Sequence, residues 1–336
     1  MILSIESSCD DSSIALTKIK NYNLVKQLKV SQEIEHKQYG GVVPELASRL
    51  HAAALPKLLE EFKPYFNEIK AVSVTTHPGL SVSLHEGVIM AKAISAFLNI
   101  PIIGVNHLMG HIYSLFINKE AKLPLLVLLV SGGHTMVLEV SAYNRAKLLA
   151  TTLDDSVGES YDKVAKMLNL GYPGGPIIEK IALKGNREAF NFPIPLSNSP
   201  QIAFSLSGLK NAVRLEIEKH SNLTESLKCD IAASFELAIV KHLKQKLKRI
   251  FKQNRIKDFA IVGGVSANRY IAKNLEDLCK EFNKTLHQVD LVYTSDNAAM
   301  IGRWAIEAFK DNKFDNYKTL QVKATKRLEV DSFLEV

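Results

Sequence analysis

Residues 125–140, with the sequence LLVLLVSGGHTMVLEV, decide the fold of this chain. The first six residues are continuously apolar, which is typical of a strand buried on both faces. A small polar turn, Ser131-Gly132-Gly133-His134, then leads into a second apolar segment. Residues 1–20 repeat this layout, with a turn rich in serine and aspartate between two apolar segments. The sequence therefore predicts a duplicated domain in which each copy begins with a β-hairpin.

Further along the chain, short strands lead into helices through turns that contain glycine or proline. Residues 71–75 precede a predicted helix over 86–98, and residues 102–105 precede a helix that begins near His107. Alternating strands and helices predict an α/β fold. In such folds the functional groups lie at the carboxyl ends of the strands, which is where His107 is placed.

The composition is that of a soluble globular protein, with 46% hydrophobic and 23% charged residues. A length of 336 residues predicts two domains or two lobes. No apolar run reaches the ~18 residues of a membrane helix, and the N-terminus has no basic, cleavable leader. Three widely spaced cysteines without a C-x-x-C pair indicate reduced thiols. We therefore expect a cytoplasmic protein, whose net charge of +7 is compatible with nucleic acid.

Two histidines, His107 and His111, lie four residues apart at the start of a predicted helix. At this spacing both imidazoles can reach one point, and imidazole is a common ligand for zinc and iron. The spacing also matches half of the metalloprotease motif H-E-x-x-H, but Leu108 replaces the glutamate that serves as general base. The pattern indicates either a metal site or two surface histidines, and it argues against a protease. Asp296, after a strand predicted over 291–293, is either a metal ligand or a helix cap.

Other polar segments are open to two interpretations. Asp154 and Asp155 fit the first turn of a helix, where the helix dipole favours carboxylates, whereas Asp162 lies deeper in that helix. Residues 237–257 are predicted as a basic helix, which is either a solvated face or a surface for a phosphate backbone. Its cationic residues are Lys241, Lys244, Lys246, Lys248, Arg249, Lys252, Arg255 and Lys257.

Short motifs follow one another along the chain in a distinctive order. They are ESSCD (6–10), GGVVPE (40–45), NHLMGH (106–111), VSGGHT (130–135), GESYDK (158–163), YPGG (172–175), FSLSGLK (204–210), GGVSAN (263–268) and DN (296–297). Together they resemble the bacterial TsaD type of tRNA threonylcarbamoyladenosine transferase, a family formerly described as an O-sialoglycoprotein endopeptidase. The resemblance implies the two-lobed α/β fold of actin, Hsp70 and sugar kinases, with duplicated RNase H-like domains and a central cleft.

The resemblance also implies roles for individual residues of this chain. The metal ligands would be His107, His111 and Asp296, holding one divalent metal per subunit, either Fe²⁺ or Zn²⁺. The substrate-contacting positions would be Leu129, Val130, Ser131, Gly132, Gly133, Asp162, Gly175 and Asn268. The residues Glu6, Asp10 and His134 would face the same cleft. The N-terminal lobe would comprise residues 1–115, and the C-terminal helix region of about residues 303–336 would pack back on it. The other lobe would comprise residues 116–302.

The reaction that the resemblance implies is a metal-assisted acyl transfer. A threonylcarbamoyl group would pass from threonylcarbamoyl-adenylate to N6 of the adenosine 3′ of the anticodon in tRNAs that read ANN codons, releasing AMP. The implied partners are tRNA, a TsaB-like paralogue and a TsaE-like P-loop ATPase, with no membrane. The alternatives are a small-molecule or sugar kinase of the same fold, a metalloprotease, and a non-catalytic scaffold.

The chain departs from the family's usual pattern at a few positions. His77 and the pair His85-Glu86 replace small residues, and Met109 replaces a frequent glutamate. The C-terminal tail also differs, over residues 322–327. None of these positions is an implied ligand, so we expect them to alter local shape rather than the site.

Overall fold

The computed structural model describes residues 1–323, so most of the atypical tail lies outside the described residues. The strands and helices, in chain order, are β1 (Ile2–Glu6), β2 (Asp11–Thr17), β3 (Leu24–Ser31), α1 (Glu33–Lys37), α2 (Pro44–Glu60), β4 (Ala71–His77), α3 (Ser81–Leu98), β5 (Ile102–Asn106), α4 (His107–Tyr113), β6 (Leu125–Val130), β7 (Thr135–Ala142), β8 (Arg145–Thr151), α5 (Val157–Met167), α6 (Gly174–Ala182), α7 (Ser207–Glu218), α8 (Glu225–Gln253), β9 (Asp258–Val262), α9 (Arg269–Glu281), β10 (Thr285–Gln288) and α10 (Ala298–Lys310). Short 3₁₀ helices lie at Lys63–Glu68, Ser114–Phe116, Gly264–Ala267 and Leu291–Tyr293.

These elements form two units. The first contains Met1–Leu123, Ala142–Arg145 and residues 289–323, and the second contains Pro124–Ser141 and Ala146–Gln288. The helix α10 therefore belongs to the first unit, whereas the sequence analysis assigned residues up to 302 to the second lobe.

Each unit contains one mixed five-stranded sheet, and the two sheets have the same design. The order is β3-β2-β1-β4-β5 in the first unit and β8-β7-β6-β9-β10 in the second. In both, the central strand pairs antiparallel with the strand that follows it and parallel with its other neighbour. The two predicted hairpins, β1–β2 and β6–β7, are thereby confirmed, together with the duplication.

In the first unit, β1 is buried along its whole length and α3 packs against β4 and α2. Within the described part of the chain, α3 is the one helix long and apolar enough to cross a membrane by composition. Its side chains at Leu84, Val88, Ala91 and Ile94 are buried, and three of them belong to the core of the sheet. Packing on the sheet accounts for this buried face of α3, whereas Val82, Ile89 and Phe97 on the same helix are exposed.

In the second unit, all six residues of β6 are buried, as their continuous apolar character predicted. The long helix α8 packs against α6, α7 and α9. It begins at Glu225, where the Thr224 hydroxyl accepts a hydrogen bond from the Leu227 amide. The helix predicted from residue 237 is thus the second half of a longer one.

The strand predicted over residues 291–293 is wrong, because Leu291–Tyr293 is a 3₁₀ helix. The strands β3, β8 and β10 were not predicted from the sequence. Each lies at the edge of its sheet and carries polar residues, such as Lys26 and Lys29 in β3, which obscure the apolar pattern of a strand.

Close packing of α5 on the turn after β6 gives a test of this fold. A Cβ at Gly158, the second residue of α5, would lie 2.6 Å from the main-chain oxygen of Ser131. We expect Gly158→Ala to lower the free energy of unfolding by about 1–3 kcal/mol through overpacking, measured from the midpoint of urea denaturation.

Gly208, the second residue of α7, is the matched control, because a Cβ there meets no described atom within 4 Å. Gly208→Ala is expected to leave the midpoint unchanged or to raise it slightly, since alanine favours a helix more than glycine does. Equal effects of the two substitutions would contradict the packing described for α5.

Candidate metal centre and substrate loops

In the first unit, the strands β1, β4 and β5 are parallel, so their carboxyl ends lie at one edge of the sheet. Glu6 is the last residue of β1, Thr75 lies near the end of β4, and His107 directly follows β5. This edge brings together residues that are far apart in sequence, as the α/β pattern predicted.

The two histidines occupy the first turns of α4. The Asn106 side chain caps this helix by accepting hydrogen bonds from the amides of Leu108 and Met109. The rings of His107 and His111 lie 4.6 Å apart between centroids, at 78° to one another. Both side chains are buried, so the interpretation as surface histidines is wrong.

Asp296 reaches these histidines from the segment before α10. The cap of α10 is Asn297, whose side-chain oxygen accepts a hydrogen bond from the Met300 amide, so the alternative of Asp296 as a helix cap is wrong. The Lys29 ammonium on β3 donates to the Ser295 hydroxyl and to the main-chain oxygen of Asp296. These contacts fix the backbone of residues 295–297 and leave the Asp296 carboxylate to face α4.

The three side chains form a group that can hold a metal ion. One nitrogen from each histidine and one oxygen of Asp296 all lie within 4.8 Å of one another. Oδ1 of Asp296 is 3.1 Å from Nε2 of His111 and 3.5 Å from Nε2 of His107. Nδ1 of His111 is buried without a hydrogen-bond partner among the described residues, and the Asp296 carboxylate is the contact of its Nε2. A donor set of two imidazoles and one carboxylate fits a divalent transition metal.

Carboxylates and imidazoles set each other's protonation in this group. Burial lowers the pKa of His107, but the carboxylates of Asp296 and Glu6 outweigh it and raise that pKa to about 9. Burial raises the pKa of Asp296, yet the imidazoles of His107 and His111 bring it below its ordinary value. For Glu6, burial is likewise outweighed by His107, so its pKa is lowered. Both carboxylates are therefore ionised at neutral pH and favour a cation between them.

Other residues near this edge have structural explanations. Leu108, at the position of the missing protease base, is fully buried in the core. Asp10 lies at the tip of the β1–β2 hairpin, where its main-chain oxygen accepts a hydrogen bond from the Gln32 amide. Burial, followed by the neighbouring carboxylate of Asp10, raises the pKa of the Cys9 thiol, so this cysteine is not a thiolate nucleophile.

In the second unit, the parallel strands β6 and β9 end side by side. The turn Ser131–Gly133 follows β6, and the Gly263–Asn268 segment follows β9. Gly263 has φ +91°, and a Cβ there would lie within 2.4 Å of the Val130 oxygen, so glycine is required at this approach. The side chains of Leu129 and Val130 are buried, which leaves only their main-chain atoms for a ligand.

The remaining implied substrate residues are held by hydrogen bonds within the second unit. The Asp162 carboxylate accepts a hydrogen bond from the Gly174 amide, next to Gly175. Asn268 caps α9 through its side-chain oxygen, and its side-chain nitrogen donates to Glu236. In the turn, His134 and Ser131 are joined by a main-chain hydrogen bond.

The sequence analysis placed Asp154 and Asp155 in the first turn of α5, but both residues precede the helix and neither caps it. The cap is Ser156, whose hydroxyl accepts a hydrogen bond from the Glu159 amide. The Asp154 carboxylate accepts hydrogen bonds from the Ser205 and Ser207 hydroxyls and from the amides of Leu206 and Ser207. Asp155 pairs with Lys163 and Lys210. Both carboxylates therefore anchor side chains or backbone outside the first turn of α5.

The basic residues of α8 do not form one solvated surface. The Lys246 ammonium is buried and donates to the main-chain oxygens of Leu196 and Gln201. Arg249 donates to the Ser199 oxygen, and Lys248 pairs with Glu281. Lys246 and Arg249 thus hold the loop over residues 196–201 in place, and α8 ends at Gln253, so two of the eight predicted cations, Arg255 and Lys257, lie beyond the helix.

Sequence reasoning missed several residues that this geometry involves. Ser8 contacts His107, Thr75 donates to Glu6, and Lys29 donates to the main chain of Asp296. In the second unit, Glu236 accepts hydrogen bonds from Asn268 and Arg187. Ser8 lies within the motif over residues 6–10 but was given no role there, and the other four belong to no motif with recognisable spacing. Their signal is the strand end or helix face on which the fold places them.

Comparison with known proteins supports a single family. The family model described as TsaD, tRNA N6-adenosine threonylcarbamoyltransferase, matches residues 23–303. A protein of that name from Sulfurovum sp. is 57% identical, over 99% of this chain and 100% of its own length. Another from Nitratiruptor sp. is 61% identical, over 95% of this chain and 97% of its own length. A protein of the same name from Helicobacter pylori (strain J99) is 57% identical, over 94% of this chain and 95% of its own length.

Solved structures share the fold at low sequence identity. Full-length HypF in its phosphate- and nucleotide-bound form has a TM-score of 0.63 and 14% identity, covering 94% of this chain and 47% of HypF. The activator of 2-hydroxyisocaproyl-CoA dehydratase from Clostridium difficile has a TM-score of 0.55 and 16% identity, covering 96% of this chain and 99% of the activator. At this identity the likeness shows the fold alone, and it confirms the actin, Hsp70 and sugar-kinase class.

The geometry of the histidine–aspartate group predicts metal binding. We expect the protein to bind one equivalent of Zn²⁺ and both His111→Ala and Asp296→Ala to weaken binding by more than about 100-fold, since losing a supporting partner alone costs about 10–100-fold. Competition with a chromogenic chelator measures the affinity. His85→Ala, which removes an exposed histidine of α3, is the control and is expected to bind as the wild type does.

The four hydrogen bonds to Asp154 predict a pH-dependent contribution to stability. We expect Asp154→Asn to lower the free energy of unfolding at pH 7 by about 1–2 kcal/mol, because the site is partly exposed. These hydrogen bonds lower the pKa of Asp154 in the folded protein, against the opposing effect of burial. The stability that the ionised Asp154 contributes to the protein is therefore complete above about pH 4, the pKa of this carboxyl in the unfolded chain. It is lost as the pH falls through the lower pKa of the folded protein.

Urea denaturation of both proteins between pH 7 and pH 3 measures this contribution. The difference between wild type and variant should shrink below about pH 4, where the carboxyl is protonated in the unfolded chain. A difference that stays constant over this range would show that the charge of Asp154 does not contribute.

Proposed function

We infer the function of this chain from one premise, that it belongs to the TsaD family, described as tRNA N6-adenosine threonylcarbamoyltransferase. The family model and the named relatives both cover most of the chain. The protein is a transferase that modifies tRNA. These relatives give no support to the kinase alternative.

In the reaction that we propose, N6 of the adenosine 3′ of the anticodon attacks the carbamoyl carbon of threonylcarbamoyl-adenylate. The new bond joins N6 to that carbon, and the bond from the carbon to the phosphate oxygen breaks. AMP leaves with this oxygen, and the N6 proton passes to a base. The substrates would be tRNAs that read ANN codons, and the unstacked anticodon-loop base would be recognised through shape and phosphate contacts.

The observation that carries this proposal for the first unit is the group of His107, His111 and Asp296. These residues would hold one divalent metal per subunit, and their donor atoms suit Zn²⁺ and Fe²⁺ equally. When bound, such a cation supplies Lewis-acid polarisation of an acyl oxygen. The buried histidines orient the donor atoms, and the capped, lysine-held segment around Asp296 keeps its carboxylate facing them.

In the second unit, we propose that the turn Ser131–Gly133 and its neighbours bind the adenylate. Gly132 and Gly133 are exposed and carry no side chain, so their backbone can approach an anion closely. Leu129 and Val130 would contribute main-chain atoms, and Asp162 supports the backbone beside Gly175. Asn268, with His134 in the turn, is a further candidate for substrate contact in this unit, and Asp10 is a separate candidate in the first unit.

The proposed setting follows from the same family. We propose that the protein works in the cytoplasm with tRNA, a TsaB-like paralogue and a TsaE-like P-loop ATPase. We propose a functional division into an N-terminal lobe of residues 1–115 and a second lobe, with the segment before α10 contributing Asp296 to the first unit. The exposed cations of the predicted basic segment, Lys241, Lys252, Arg255 and Lys257, are candidates for contact with the phosphate backbone.

The test is a transfer assay with labelled threonylcarbamoyl-adenylate, unmodified tRNA and the two helper proteins. We expect label in the modified adenosine of the nucleoside digest, and loss of most of it with Asp296→Ala or after chelation. His85→Ala should retain transfer. A tRNA with inosine in place of the target adenosine, which lacks the N6 amine, should accept no label.

Each result of this assay decides one part of the proposal. Label that survives both chelation and Asp296→Ala would refute the metal site and keep the reaction. Label that reaches the inosine tRNA would refute attack by N6. An absence of label with active helpers would refute the proposed transfer.

A further inference from the structure

We propose that Glu6 is a positioning residue for His107, holding this imidazole so that its Nε2 faces the other two metal ligands, His111 and Asp296. The inference rests on the metal site of the proposed function. It concerns a residue that contacts neither the metal nor the substrate, and whose effect is transmitted through the ring of His107.

Glu6 has a complete set of partners in the core of the first unit. It ends β1 and is 0% exposed. Its Oε1 accepts a hydrogen bond from the Ser8 amide at 2.5 Å, and its Oε2 accepts one from the Thr75 hydroxyl at 2.6 Å. Oε2 also lies 3.1 Å from Nδ1 of His107. A backbone donor in the turn after β1 and a hydroxyl donor on β4 therefore hold the carboxylate in place beside the histidine.

This contact selects one protonation form of the His107 ring. An ionised carboxylate only accepts hydrogen bonds, so Nδ1 of His107 must carry the proton that joins it to Glu6. In the neutral ring that metal binding requires, Nε2 then presents its lone pair, and it is this nitrogen that lies 3.5 Å from Oδ1 of Asp296. A carboxylate behind a ligating imidazole is a recurrent way of fixing its tautomer and increasing its basicity.

Charge balance gives a second reason for a carboxylate at this position. Among the described residues, no lysine or arginine forms an ion pair with Glu6, and its one titratable partner is His107. A fully buried carboxylate is costly without a compensating positive charge. Glu6 and Asp296 together carry two negative charges, which match one divalent cation bound through two neutral imidazoles.

His111 shows by contrast what Glu6 adds. Nδ1 of His111 has no hydrogen-bond partner among the described residues, and its Nε2 contacts the Asp296 carboxylate at 3.1 Å, so no carboxylate lies behind this ring as Glu6 does behind His107. His107 is also contacted by the Ser8 hydroxyl, 3.1 Å from the same Nδ1. The hydroxyl is neutral and can donate or accept, so it does not select a tautomer by itself.

The experiment measures Zn²⁺ affinity of the full chain by competition with a chromogenic chelator. We expect Glu6→Gln to weaken binding by about 10–100-fold, the usual effect of losing a partner of a metal ligand. Ser8→Ala should weaken it by about threefold or less, as for one weak neutral hydrogen bond. Thr75→Val, which keeps the carboxylate but removes a donor to it, should give an intermediate loss.

The matched control is Glu236→Gln in the second unit, the same change in a carboxylate that is only 1% exposed. It should leave Zn²⁺ affinity unchanged. Nitrogen-15 NMR of the histidine rings in the Zn²⁺-bound protein supplies a readout that a merely structural role would not change. The Nδ1 proton of His107 should be observed in the wild type and should move upfield in Glu6→Gln.

The possible outcomes separate this inference from the proposed function. Wild-type affinity in Glu6→Gln, or an Nδ1 proton signal unchanged by that substitution, would overturn the positioning role. A loss in Ser8→Ala as large as that in Glu6→Gln would assign the role to the hydroxyl instead. If Glu6→Gln fails to fold, wild-type affinity in a folded Thr75→Val protein would overturn the role. A wild-type chain that binds no Zn²⁺ would refute the metal site and this inference together.

Discussion

Parallel pairing of β1, β4 and β5 is the constraint on which the candidate metal centre depends. Main-chain hydrogen bonds between these strands align their carboxyl ends, so the residue that ends β1 meets the residue that follows β5. Glu6 and His107 are 101 positions apart in sequence, yet their side chains lie 3.1 Å apart. The helix α10 packs on β1, β2 and α4, and so Asp296 joins the same edge. Without this pairing, the histidine spacing on α4 would bring only two donors together.

The second unit applies the same topology to different chemistry. Its sheet has the same strand order, but the ends of β6 and β9 carry glycine-rich turns instead of titratable side chains. Gly158 and Gly263 allow backbone to approach the turn after β6 more closely than any side chain would permit. One edge therefore concentrates charge and the other exposes main chain. The duplication provides two sheets of equal design, and local sequence decides what each edge can bind.

The elements that the sequence predicted well are those with a local physical signal. Continuous apolar runs predicted β1 and β6, and the four-residue spacing placed His107 and His111 on one helix face. Asp296 could be interpreted either as a cap or as a ligand, because the competing cap, Asn297, is its direct neighbour. The resemblance to a family assigned it as a ligand, and this role stays a prediction for a carboxylate that the structure places beside both histidines.

What could not be predicted depends on contacts between distant segments. Asp154 was interpreted as part of a helix turn because its partners, Ser205 and Ser207, lie some fifty residues later in the chain. Lys246 looked like a surface cation because nothing in its own helix shows that the loop over 196–201 covers it. Edge strands such as β3 have one solvated side and so lack a clear apolar pattern. In each case the missing information is which segment packs against the residue.

The position of α10 in the first unit has a consequence for the order in which the protein matures. The first third of the chain supplies the sheet and both histidines, but Asp296 and α10 are translated only after the entire second unit. During synthesis, domains fold as units as they leave the ribosome. The second unit can therefore complete its core while the first still lacks its last helix. The donor set for a metal is assembled at the end of translation, when α10 returns to the sheet begun by the first residues.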